Sequence, residues 1–253
     1  MNPFKDALAN RQPSIGLWQA LANAYTAEIC ARAGFDWLLF DGEHAPNDLQ
    51  TMLAQLQAVA PFGAEAVVRP RNDDPALIKQ YLDMGFRSML VPMVDSGEQA
   101  KRLVAATRFP PLGVRGVASA TSRASGFGTN RSYLSSAHED ICLIAQIESR
   151  AGLAAIEEIA STDGIDALFI GPGDLAGALG HLGNPMHCEV QDTIADAVRR
   201  IAAAGKPAGI FALSIDDAHA RIALGVSMVS VGTDIGLLVS SASALREAMS
   251  GTI

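Results

Sequence analysis

Residues 141–177 read ICLIAQIESRAGLAAIEEIASTDGIDALFIGPGDLAG. Two short runs stand out within them, Ile141–Glu148 and Ile165–Gly171. Both are apolar on their two faces, the pattern of parallel strands covered on both sides. Each leads to polar groups, the first to Gln146 and Glu148, the second to Gly173 and Asp174. Six further runs of this kind lie outward from them: Ser14–Ala20, Phe35–Asp41, Ala64–Pro70, Arg87–Val94, Pro207–Leu213 and Val226–Gly232. Most are followed by a stretch of helical period. Leu49, Met52, Leu53 and Leu56 have helical spacing behind Asp48, a candidate N-cap. Asp74 followed by Pro75 marks another helix start, and Ser96 with Gln99 fits a capping box ahead of Leu103 and Val104. The repeated β-then-α order predicts one α/β domain over residues 1–253, a (βα)8 TIM barrel, with a doubly wound sheet as the weaker alternative.

Composition narrows the function classes. The chain has 253 residues, 49% hydrophobic and 18% charged. That charged share lies below the roughly 25% of ordinary soluble domains and implies a large buried core. A net charge of −8 speaks against a nucleic-acid partner. No charge-free apolar run is long enough for a membrane span, and MNPFKDALANRQP lacks the apolar core of a signal peptide. Cys30, Cys142 and Cys188 are scattered and odd in number, which predicts reduced thiols in a cytoplasmic protein.

Barrel chemistry sits at the C-terminal ends of the strands. There the sequence places Asp41-Gly42-Glu43-His44, Arg69, Gln146 and Glu148, Asp174, and Thr233-Asp234. Charged groups leaving a hydrophobic barrel must be paired or must coordinate something. Glu148 and Asp174, with no thiolate nearby, suit a hard divalent cation such as Mg2+, Mn2+ or Co2+; helix capping or pairing with arginine is the alternative. His44 is a ligand, a base or a helix cap, and Arg69 either meets a substrate or pairs with Asp41 or Glu43. The glycines before Asp174 could free backbone N–H groups for an anion, or form an ordinary turn. His138, His181, His187 and His219 have no ligand-like spacing and read as surface or loop residues. None of the four lysines ends a strand, which removes the Schiff-base nucleophile, and no nucleophile elbow or Walker loop is present. The Gly-, Pro-, Ser- and Arg-rich stretch from about Arg108 to Asp140 follows the fourth strand and is expected over the C-terminal mouth.

FDGEHAPND, VVRP, LVPMVDSGEQA, PPLGVRGVA, QIESRAGL and GIDALFIGPGDLAGALG occur in this order over nearly the whole chain. Together they resemble the HpcH/HpaI aldolase family, whose best-known member type is 4-hydroxy-2-oxoheptane-1,7-dioate aldolase. The resemblance implies a barrel of the phosphoenolpyruvate/pyruvate superfamily. It also implies a divalent-metal-dependent lyase that cleaves 4-hydroxy-2-oxo acids to pyruvate and an aldehyde such as succinic semialdehyde, as in aromatic compound catabolism. Glu148 and Asp174 resemble the metal ligands, Arg69 the arginine on the pyruvyl oxygen, His44 the proton-transfer histidine and Asp83 its carboxylate partner. Gln146 resembles a residue contacting substrate or water, and Gly173 and Asp174 the amides that bind the pyruvate carboxylate. Trp18 and Phe211 fall near the aldehyde pocket. Gly126 and Gly173 are smaller than the residues common at those positions, which bears on aldehyde preference. A homo-oligomer, a hexamer with the helix of residues 236–249 exchanged between subunits, is implied as well. An acyl-CoA lyase of the same superfamily would share the metal site but needs a basic patch, and a non-catalytic metabolite-binding barrel would lack part of the mouth.

Overall fold

The structure is a computed structural model that describes residues 2–250. Eight strands close into a barrel in sequence order, every neighbouring pair parallel. They are β1 (Ser14–Gln19), β2 (Trp37–Asp41), β3 (Glu65–Arg69), β4 (Ser88–Val91), β5 (Cys142–Ile147), β6 (Ala167–Ile170), β7 (Ala208–Phe211) and β8 (Met228–Thr233). All eight coincide with the predicted runs, and only Thr233 lies outside them. Helix α1 (Pro3–Ala9) precedes the barrel; α2 (Ala24–Arg32), α3 (Leu49–Val59), α4 (Pro75–Met84) and α5 (Gly97–Thr107) follow β1 to β4 in turn. Helix α6 (Tyr133–Asp140) leads into β5, and α7 (Arg150–Ala154) with α8 (Ile156–Ala160) leads into β6. Then come α9 (Pro172–Ala178) and α10 (Cys188–Ala203) before β7, α11 (Ile215–Ala223) before β8, and α12 (Asp234–Ser250).

The helix starts follow from local chemistry. Asp48 accepts the Thr51 N–H at 2.8 Å and the Thr51 hydroxyl accepts the Asp48 N–H at 2.9 Å, a reciprocal cap on α3. Asp74 accepts the Ala76 N–H at 2.9 Å, with Pro75 in the first turn of α4. At α5 the expected box is only half made. Ser96 accepts the Gln99 N–H, but the Gln99 amide oxygen takes the N–H of Asp95 instead of Ser96. The Gln99 amide nitrogen donates to Met93 O and Asp73, which draws the side chain one residue outward.

Two apolar layers hold the barrel. The outer one, between strands and helices, includes Leu38, Phe40, Val68, Met89 and Ile170. The inner one fills the barrel with Trp18, Trp37, Leu39, Ile144, Phe169 and Met228. Phe4 and Leu8 of α1 join this inner layer from the base, where Asn2 donates to the Ser88 hydroxyl at the start of β4. Large side chains are accommodated by glycine on the adjacent strand. Trp37 is the register partner of Gly16, and Phe169 of Gly209. A Cβ at either glycine would stand inside its neighbour's ring.

The long connection between β4 and β5 lies elsewhere than expected. Helix α5 carries the chain back from the mouth before residues 108–132 begin, so this loop packs at the base of its own barrel. There Arg123 donates to Met84 O at 3.0 Å and Arg115 to Asp83 at 2.6 Å, both at the C-terminal end of α4. Gly126, which adopts φ +61, belongs to this basal loop and not to the mouth of its own chain.

The interior pairing carries a stability prediction. Gly16→Ala, measured by denaturant midpoint against the native chain, should destabilise the barrel by about 1–3 kcal/mol through overpacking against Trp37. An unchanged midpoint would show that Trp37 yields without cost.

Candidate active site

The C-terminal rim is organised by two buried charges. Asp41 ends β2 and Arg69 ends β3, and the two residues are register partners. Arg69 donates to both carboxylate oxygens of Asp41, from Nε at 2.9 Å and Nη2 at 2.7 Å. The same carboxylate accepts the Trp18 indole N–H at 3.2 Å and the backbone N–H groups of Glu43 and His44. Burial alone would push the Asp41 carboxyl up, but these donors and the Arg69 charge outweigh it and hold the pKa below the usual range. Of the partners proposed for Arg69, both are real: Nη1 also lies 2.9 Å from Glu43 Oε2, without hydrogen-bond alignment.

Trp18 therefore has a structural duty at the mouth. Its ring sits 4.9 Å from the Arg69 guanidinium and meets Phe211 edge-on at 5.5 Å. His44 is two-thirds exposed, its Nε2 at 3.7 Å from Glu43 Oε2. Asp83 does not join them. It stands near the end of α4, at the base of the same barrel, and its side-chain partner is Arg115. Within one chain the expected His44–Asp83 pairing is not formed, because α4 runs the height of the barrel between mouth and base.

Across the mouth, Glu148 follows β5 and is 3% exposed. One carboxylate oxygen accepts the Met93 N–H at 2.9 Å, and the other accepts the Gln146 amide N–H at 2.5 Å. Burial, reinforced by the charges of Asp174 and Glu43, pushes its pKa from 4.5 to about 7, against the opposing effects of the Met93 N–H and Arg69. Glu43 is raised as well, chiefly by burial. Gly171 permits this packing, since a Cβ there would collide with Glu148 Oε2 and lie 2.9 Å from the Gln146 amide nitrogen. Gly173, singled out in the sequence, has open space where a Cβ would go.

Helix α9 begins beside Glu148 with no side-chain cap, and Pro172 has no N–H. The N–H groups of Gly173 and Asp174 belong to the first turn, which has no partners within a helix. Asp174 is exposed. The buried acceptors Gln146 Oε1 and Glu43 Oε2 lack hydrogen-bond donors, and Gln19 at the end of β1 has neither an acceptor for its amide nitrogen nor a donor for its oxygen. Acceptor oxygens orphaned beside an under-compensated carboxylate fit a divalent cation with its oxygen ligands. Asp234, by contrast, is a clamp: its carboxylate accepts the N–H groups of Ala20 and Leu21 and ties β1 to α12.

The sequence marks Asp41 only as a strand-end acid and a partner for Arg69, Gly171 only as a turn glycine, and Gln19 not at all. Asp41 and Gln19 carried the available signal, a polar residue closing an apolar strand run. The role of Gly171 depends on a side chain of the neighbouring strand and left no local mark.

A sequence model of the HpcH/HpaI aldolase/citrate lyase family matches residues 14–241. A hydroxypyruvate/pyruvate aldolase of Deinococcus radiodurans is 56% identical over 246 residues, covering 96% of this chain and 88% of the relative. A 4-hydroxy-2-oxo-heptane-1,7-dioate aldolase of Salmonella heidelberg is 50% identical over 244 residues, covering 96% and 93%. A crystal structure of an HpcH/HpaI aldolase/citrate lyase family protein from Burkholderia cenocepacia superposes with a TM-score of 0.94 at 39% identity, covering 98% of this chain and 99% of that one. With the rim geometry and a match spanning the whole barrel, the chain belongs to the HpcH/HpaI aldolase/citrate lyase family.

Proposed function

We propose that the chain is a divalent-metal-dependent aldolase that cleaves 4-hydroxy-2-oxo acids reversibly to pyruvate and an aldehyde. Aldolase activity follows from relatives at 50–56% identity over nearly the full length. The observation that carries the site assignment is the buried, under-compensated Glu148 facing the uncapped start of α9. Glu148 and Asp174 would hold the cation, and Gln146 Oε1 would face a bound substrate or water. When bound, the ion (Mg2+, Mn2+ or Co2+) supplies Lewis-acid polarisation of the 2-oxo group. The N–H groups of Gly173 and Asp174 receive the C1 carboxylate. Arg69, its plane fixed by Asp41, donates from Nη1 to the C2 oxygen as the C3–C4 bond breaks and negative charge develops there. His44 takes the C4 hydroxyl proton directly or through a water. Trp18 and Phe211 form the apolar side facing the aldehyde. The names of the 53–56% identical relatives support hydroxypyruvate as an additional donor beside pyruvate.

We also assign a homo-oligomer, a hexamer with α12 packed on a partner subunit. Leu237, Leu238, Val239 and Leu245 of α12 are 52–70% exposed, and Asp234 is the buried residue of the helix. In such an assembly, Asp83 of a partner subunit is the carboxylate that could reach His44.

Glu148→Gln and Asp174→Asn should each abolish chelator-sensitive pyruvate release while leaving the fold intact, and normal turnover by either would remove the metal site. Because a proton competes for Glu148, metal affinity in the native chain should plateau above about pH 7 and fall about tenfold per unit below it, as read by metal titration at several pH values.

Arg69 and His44 should separate kinetically. Arg69→Ala should slow both aldol cleavage and oxaloacetate decarboxylation by about 10²–10³-fold, since both pass through the same enolate. Lysine should rescue poorly for want of the two-pronged donor geometry. His44→Ala should slow aldol cleavage more than decarboxylation, which has no C4 hydroxyl; equal losses would show that His44 serves no such proton.

Light scattering at micromolar concentration should report a hexamer, and Leu237→Glu with Leu238→Glu should break it into smaller species. A stable native monomer would count against the assembly.

A further inference from the structure

The connection from α9 to α10 brings together three side chains that the mouth does not use. His181 and His187 stack with ring centroids 3.6 Å apart and planes inclined by 14°. Glu189, in the first turn of α10, places a carboxylate oxygen 2.7 Å from His181 Nε2. One ligand atom from each of the three lies within 4.8 Å of the other two. Zinc at about 2.0–2.1 Å from each donor sets tetrahedral donors roughly 3.3 Å apart, so binding moves His181 Nε2 and Glu189 apart from 2.7 Å and turns one ring out of the stack until both in-plane lone pairs face the ion.

The donor groups are open to a cation. His187 Nδ1 faces the Glu189 N–H at 3.3 Å, a long contact that leaves its lone pair only weakly engaged. The hydrogen bond from His181 holds the Glu189 carboxyl below its ordinary range, so it is ionised at neutral pH. Arg150 acts on Glu189 more weakly than the two histidines, and its Nε is committed to Ala178 O at 2.7 Å.

We propose that His181, His187 and Glu189 form a second cation site, for a borderline transition-metal ion such as Zn2+. Two imidazoles and one carboxylate match the three-ligand zinc set that leaves a fourth position to water. The ion takes the place of the proton between His181 Nε2 and Glu189, and His181 keeps its remaining proton on Nδ1. The oxygen-only mouth suits Mg2+ or Mn2+, whereas this nitrogen-rich set discriminates against them. Filled, it clips the loop after α9 to the first turn of α10, stiffening the far end of the helix whose first turn carries Gly173 and Asp174. The site stands independently of the aldolase reading.

The test is equilibrium dialysis of the metal-stripped, tag-free full chain against micromolar Zn2+, with bound zinc counted by elemental analysis. A Glu148→Gln, Asp174→Asn chain, which lacks the mouth carboxylates, should still bind one zinc. Adding His181→Ala and His187→Ala should abolish that equivalent, and Glu189→Gln should weaken it at least about tenfold. His181→Ala with His187→Ala alone should retain the native aldol rate in Mg2+, which shows that the variant folds. No zinc on the chain lacking the mouth carboxylates, or an unchanged count without the two histidines, overturns the proposal.

Discussion

The Arg69–Asp41 pair is the constraint on which the mouth depends. Removing both ions from water costs several kcal/mol, and attraction alone seldom repays it. Here the carboxylate gathers two guanidinium donors, an indole N–H and two backbone N–H groups. Those contacts tie β1, β2 and β3 together at the rim and shape the turn that carries Glu43 and His44. The guanidinium is locked in its plane before any substrate arrives, so its outer nitrogen needs little reorganisation. Truncating either partner would leave a buried charge alone, a loss of about 3–5 kcal/mol in comparable pairs.

That pair also sorts the charge of the mouth. One arginine faces three carboxylates, and its hydrogen bonds go to Asp41. Asp41 is accordingly lowered, while Glu43 and Glu148 are raised. Negative potential thus accumulates on the Glu148 side, beside the exposed Asp174, where an incoming cation would neutralise it. The Arg69 guanidinium, fixed by Asp41, is the charged donor on the opposite side, where an enolate oxygen would develop. A reaction that separates charge in this sense finds its two poles already assigned.

The barrel was legible because each strand is apolar on both faces and each cap acts within a few residues. Site residues at strand ends were legible for a related reason: register delivers Asp41, Arg69 and Glu148 to one rim whatever lies between them. What failed depended on direction along the barrel. Residues 108–132 follow the fourth strand in sequence, yet α5 reverses the chain and puts them at the base. Asp83 lies at the same basal end, with the length of α4 between it and His44 of its own chain. The His181–His187 stack had no helical or strand period to announce it, because a loop closes it.

The glycine–aromatic pairs inside the barrel also bear on how its sequence can drift. While Trp37 stands, Gly16 has no room to acquire a side chain, and while Gly16 stays bare a smaller residue at position 37 leaves a void. Each position is thus held by the other, and Phe169 with Gly209 repeats the arrangement between β6 and β7. Single replacements carry a cost in both orders, so the packing is left most cheaply by exchanging both members together. The interior therefore favours paired changes, whereas a side chain at the exposed α9 residue Gly173 would meet no steric obstacle.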